Sequence, residues 1–283
     1  MESVHEQCVQ ALALQLAGLR PRQINALLGT IPTPSELPLG LPSGLDLYER
    51  ELQRYGGQAE AILGRCAELG IGIHPSSSPS YPSALRSRLG GQCPPLLYTL
   101  GMCELLEEHR RVAVIGTRVP DAEGLAYTRS ATREFVRRGA VILSGLARGC
   151  DVEAHRTCLE EGGLGVAVVA TGLDETYPRE HTALQNALLG RGGLILSEYP
   201  PGRPVDRRMF VARDRLLATL ATEVLVVQCG LMSGTLHTAR FAQQYGVPCF
   251  AQQYETYGEV SEGNQWLLRE GLALPHQVLF SPR

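Results

Sequence analysis

The stretch VILSGLARGCDVEAH (141–155) decides the fold. An apolar run stops at Ser144-Gly145, an arginine follows at 148, and a helix begins near Asp151, which reads as its cap. A short β-branched run that enters a small-residue turn and leaves as a helix is one unit of a parallel α/β sheet. His155, one turn into the helix, reads as a packing residue. The turn itself can hold a phosphate or simply connect a strand to a helix.

Five further runs share this texture: RVAVIG (111–116), GVAVVATG (165–172), GLILSE (193–198), EVLVVQCG (223–230) and PCFA (248–251). Amphipathic stretches such as AEGLAYTRSATREFVRRG alternate with them. Continuous apolar strands alternating with helices predict a doubly wound, mostly parallel sheet of the extended Rossmann type over 111–283, covered on both faces. Residues 1–75 read as a small all-helical domain. Leu12, Leu16 and Leu19, then Ile24, Leu27 and Leu28, recur at helical spacing. A proline-rich break (31–42) precedes a second helical stretch from about Asp46 to Leu69, interrupted near Gly56-Gly57. Residues 76–110, rich in Pro, Ser and Gly, read as a linker and an extended approach to the sheet.

Composition narrows the class. A chain of 283 residues with 44% hydrophobic and 19% charged residues fits a globular protein with a substantial core. No apolar run is long enough to span a bilayer, and the opening MESVHEQCVQ has no basic n-region, so no signal peptide is expected. Eight cysteines without a C-x-x-C pair argue against a zinc site and fit reduced thiols in the cytoplasm. The net charge of −3 does not announce a nucleic-acid binder, yet all 26 basic residues are arginine. Nine arginines face five acids between Arg110 and Arg156, and five face two between Arg203 and Arg215. A local basic surface is therefore expected on a mildly acidic protein.

In such sheets ligands gather at the carboxyl ends of strands. The first of these strands ends in Gly116-Thr117-Arg118, and the second in Ser144-Gly145, with Arg148 and Gly149 just beyond. After the third come Tyr177-Pro178-Arg179, and after the fifth Ser233-Gly234-Thr235; Arg213-Asp214-Arg215 lies before the fifth. Small residues admit an anion to backbone amides, hydroxyls add donors and arginines neutralise charge. No G-x-G-x-x-G follows a strand, and a Walker lysine is missing because the chain has no lysine. A standard NAD or ATP site is not expected, and no cofactor or metal is implied.

These motifs, in order, resemble the DNA-processing protein A family (DprA, also called Smf). The resemblance rests on VAVIGTR (112–118), SGLARGCDVEAH (144–155), ATGLDETYPRE (170–180), LSEYPPG (196–202), FVARDRLLA (210–218) and SGTLHTARFAQQYGVPCFA (233–251), and spans roughly 75–275. It implies a non-enzymatic single-stranded-DNA binder that protects incoming strands in natural transformation, forms a homodimer and helps load the RecA recombinase. It implies a DNA pocket made of Gly116, Thr117 and Arg118, of Ser144, Gly145, Arg148 and Gly149, and of Arg179. Arg213, Arg215, Ser233 and Gly234 would complete it. Two departures stand out. Asp214 sits where the family often has asparagine, so it is expected to pair with an arginine or face away from DNA, and Gln252-Gln253 replaces a usual Pro-Gly. No C-terminal winged helix is expected. The alternative is a Rossmann-type nucleoside-monophosphate hydrolase, but the segment after Gly234, Thr235-Leu236-His237-Thr238, lacks the paired glutamates such chemistry needs.

Overall fold

The computed structural model describes residues 3–29 and 44–276. The chain divides into two compact units. The first comprises 1–100 with 172–174 and 197–203, and the second 101–171, 175–196 and 204–283.

In the first unit, helix α1 (Val4–Leu16) opens with a capping box in which Ser3 and Glu6 satisfy each other's backbone amides. It stops before Gly18, at φ +87°, and α2 (Pro21–Leu27) starts with proline at its first turn, where no amide is needed. Helix α3 (Gly44–Glu68) packs along α1 and runs unbroken through Gly56-Gly57, contrary to the expected interruption. Each glycine costs roughly 1 kcal/mol of helix propensity. The face of Leu47, Ala59, Leu63 and Cys66, all buried, outweighs that cost. The proline-rich break expected at 31–42 lies outside the described residues.

The stretch 1–75 is not all-helical as expected, since it ends in a strand that needs a partner beyond it, and the segment 76–110 expected to be linker carries regular structure. Strand β1 (Gly72–Pro75) pairs antiparallel with β2 (Leu96–Gly101), Gly72 opposite Thr99, with α4 (Ser83–Leu89) between them. Asn25 of α2 stitches this region, its amide donating to the Gly91 and Cys93 carbonyls at 3.0 and 2.9 Å.

The second unit is built as expected around a parallel sheet. Its strands are β3 (Arg111–Ile115), β4 (Val141–Ser144), β5 (Gly165–Val168), β6 (Leu194–Ser197), β7 (Glu223–Val226), β8 (Cys249–Gln252) and β9 (Leu274–His276). They lie in the order β6-β5-β4-β3-β7-β8-β9, every neighbouring pair parallel. The helices are α5 (Ala122–Arg137), α6 (Cys150–Glu160), α7 (Thr182–Gly190), α8 (Arg207–Leu220), α9 (Thr235–Gln244) and α10 (Glu262–Arg269). Helices α5 and α6 cover Val112, Val114, Ile142 and Leu225, while α8 and α9 pack together, α8 against β3 and β5 and α9 against β7 and β8, and all of β3 is buried. The chain winds outward from β3 to β6, crosses back through α8 and resumes at β7. The strand order therefore reverses between β3 and β7, the place where open α/β sheets leave a crevice. Among the described residues, no helix is long and apolar enough to cross a membrane.

Candidate nucleic-acid interface

The crevice at the β3–β7 reversal is a cavity of about 890 Å³, every lining residue of which belongs to the second unit. On one side stand Gly116, Thr117 and Arg118 from the end of β3; on the other, Ser233 and Gly234 lead into α9. Gly116 has no room for a side chain, since a Cβ there would lie 2.4 Å from the Cys150 sulfur. The Thr117 amide donates to the Gln228 carbonyl at 2.7 Å, tying the ends of β3 and β7 together. Arg118 is exposed, its guanidinium 5.7 Å from the Phe210 ring centre, and among the described residues it forms no ion pair. Phe210 in turn lies 5.5 Å from the Tyr177 ring. Both aromatics, with Arg118, Gly145 and Arg148, line an adjoining hollow of about 160 Å³.

The loop after β4 is tightly specified. Ser144 is fully buried and its hydroxyl donates to the Val114 carbonyl at 2.7 Å, so it holds the sheet together instead of reaching a ligand. A side chain at Gly145 would collide with Arg213 at 2.2 Å and Asp151 at 2.6 Å. Leu146 adopts φ +60° with a fully buried side chain, a conformation costing roughly 1–2 kcal/mol outside glycine. The imidazole Nδ1 of His181 donates to its carbonyl at 2.8 Å. Gly149, at φ +76°, lies so close to the β3 loop that a Cβ would be 2.3 Å from the Thr117 carbonyl. Helix α6 starts at Cys150 with Gly149 as its cap. Asp151 does not cap it as expected; its carboxylate turns back to accept from the Gly145 amide at 3.2 Å.

The five arginines expected at the site separate into different roles. Arg118 and Arg179 are exposed and, among the described residues, form no ion pair; Arg118 lines both hollows and Arg179 lines neither. Arg148 is exposed but grips Glu180 with both prongs, at 2.6 and 2.8 Å. Arg213 is buried: its Nε donates to Asp214 at 3.0 Å, and its Nη1 to the carbonyls of Gly145 and Val168 at 2.9 and 2.7 Å. It therefore clamps the ends of β4 and β5 to α8. Arg215 is half-buried and stands outside the lining of both hollows. Asp214 pairs with an arginine, as its departure from asparagine led one to expect. Burial pushes the Asp214 carboxyl up, against the pull of Arg213, and pushes Asp151 up to about 6 by the same balance.

Sequence reasoning missed how α8 serves the site. Phe210, Arg213, Asp214 and Leu217 all line the cavity, and their i, i+3, i+4, i+7 spacing was the available signal. It also gave no hint that two acids, Glu259 and Glu262, stand on the far side. Among the described residues, no group of His, Cys, Asp or Glu is placed to hold a metal ion.

His155 is wholly buried in the core, where burial holds its imidazole down to about 4. Its folded value lies below the ordinary 6.5, so the stability it contributes is complete above 6.5 and lost as pH falls through about 4. Asp151 has the opposite sign, contributing fully below its ordinary 3.8 and losing that contribution as pH rises through about 6. Replacing His155 with leucine is expected to flatten the decline in thermal midpoint between pH 6.5 and 4. An unchanged decline would assign the acid sensitivity to another group.

Comparison with known proteins agrees with the geometry. The family model for DNA recombination-mediator protein A matches residues 73–279. The DNA processing protein DprA of Bacillus subtilis is 32% identical over 223 residues, 79% of this chain and 74% of that protein. Protein Smf of Escherichia coli is 35% identical over 208 residues, 72% of this chain. The chain spans about half the length of the Smf proteins it matches, 40% of the one from Synechocystis and 55% of the one from Escherichia coli. The X-ray structure of DprA from Streptococcus pneumoniae superposes with a TM-score of 0.81 at 28% identity, covering 98% of this chain and 95% of that one. A DNA processing protein A from Helicobacter pylori, whose structure concerns its single-stranded DNA binding mode, superposes at 0.64 with 32% identity over 75% and 91%. On the ordered motifs, the sheet and these matches together, the chain belongs to the DNA recombination-mediator protein A family.

Proposed function

We propose that this protein binds single-stranded DNA along the arginine side of the β3–β7 crevice. The observation that carries the reading is Arg118, an exposed cation that forms no ion pair among the described residues, set at a strand-end cavity beside glycines and hydroxyls. Glu259 and Glu262 repel phosphate from the far side, so on this reading the strand runs from Arg118 toward Arg148 in the adjoining hollow and on to Arg179, exposed in the turn after Pro178. Phe210 and Tyr177 offer faces on which unpaired bases can stack. The single-strand binding named for the Helicobacter pylori relative supports the same reading.

On this reading the protein holds the strand without chemical change, as a homodimer in the cytoplasm. It shields incoming DNA and passes it to the RecA recombinase during transformation and recombination. Family membership supports this wider role. The test is a titration with single- and double-stranded DNA of one sequence at two salt concentrations. Single strands should bind more tightly, and with two or three phosphates neutralised, log affinity should fall against log salt with a slope of about −2. Equal affinity for the duplex, or affinity indifferent to salt, would overturn the reading.

A further inference from the structure

Arg148 differs from the other paired arginines of this region. Arg129 with Glu153, and Arg133 with Glu161, join α5 to α6. Arg148 lines the hollow that contains Arg118, and its guanidinium fork is filled by Glu180. A carboxylate held by both prongs occupies the position and geometry that a phosphate would take. Side-chain exposures of 64% and 50% leave the pair open to water and to exchange. Glu180 is also held in place. It belongs to the short turn Arg179–His181, and His181 fastens that turn to the Leu146 carbonyl. The same turn therefore presents one cation to the strand and a competitor for another.

Resting on the single-strand reading above, we infer that Glu180 is a specificity-determining residue: it masks Arg148 from isolated phosphates and yields it only to a polynucleotide already anchored at Arg118 and Arg179. A lone nucleotide must break a two-pronged pair to gain one contact. A strand already held by its neighbours presents its next phosphate at a local concentration on the order of millimolar, and exchange then becomes favourable. Selectivity for chain over monomer arises here from an opposing element, not from an added attraction.

The test measures binding of a thymidine trinucleotide and a thymidine 20-mer to the wild-type protein, Glu180→Gln, Arg148→Ala and the double variant. Glu180→Gln keeps the side chain's shape, removes its charge and unmasks Arg148. It should tighten the trinucleotide by about three- to tenfold and the 20-mer by less, and steepen the salt slope of the trinucleotide, but not of the 20-mer, by about 0.7. In the Arg148→Ala background the same substitution should bring no gain. Unchanged trinucleotide affinity in Glu180→Gln, or a gain that survives without Arg148, overturns the inference while leaving single-strand binding intact. A wild-type protein that does not bind the 20-mer overturns the single-strand reading itself.

Discussion

Arg213→Ala lowers the stability of the second unit by about 3–5 kcal/mol, the usual cost of removing one partner from a buried ion pair. For a unit of this size that corresponds to a fall in thermal midpoint of roughly 10 °C. The side chain is 8% exposed and bonds Asp214 and the carbonyls of Gly145 and Val168. Truncation strands both carbonyls and strips two buried carboxylates of the positive charge that draws their pKa values down. Both would then rise further. A raised carboxyl pKa costs stability as pH increases, so the deficit should be larger at pH 8 than at pH 5. Melts at those two pH values check the sign. A further change of Asp214 to leucine should recover part of the loss, because it removes one of the unpaired charges. A variant that melts like the wild type but no longer binds DNA would instead place Arg213 among the phosphate contacts.

The same residue shows what a linear reading reaches and where it stops. The central strands were legible because β3, β4, β5 and β7 are buried along almost their whole length and are built mainly from Val, Ile, Leu and Ala. Strand β9, three residues long with Leu274 62% exposed, carries no such pattern, and neither does the short β1. The glycines and arginines of the crevice were legible from their places after strands. Their availability was not, because it depends on acids distant in sequence. Arg110 pairs with Glu223, Arg133 and Arg137 share Glu161, and Arg148 holds Glu180, all acids outside the 110–156 window in which arginines were in excess. Most of the apparent basic surface is thus neutralised. Ser144 shows the converse: its position in the motif suggests a ligand, but the closeness of the Val114 carbonyl on β3 decides its bond.

That sorting makes Arg118 the residue on which binding depends most. Arg118→Ala is expected to weaken single-stranded DNA about 10- to 100-fold, the range for a lost hydrogen bond between charged groups. The salt slope should become shallower by about 0.7, since one fewer counterion is released. Stability should fall by no more than about 0.5–1 kcal/mol, because the side chain is exposed and the contact it loses is with the face of the Phe210 ring. That contact restrains the guanidinium before DNA arrives. Phe210→Leu should therefore reproduce part of the affinity loss while leaving the salt slope unaltered, a separation that a purely electrostatic role for Arg118 would not produce. Arg118→Lys should keep the slope but not the full affinity, since an ammonium cannot match the two-pronged fork. All three losses should be equal across oligonucleotide sequences, because phosphate contacts position a strand without reading it. A loss confined to particular sequences would place Arg118 against bases instead of the backbone, and would move the strand deeper into the cavity between β3 and β7.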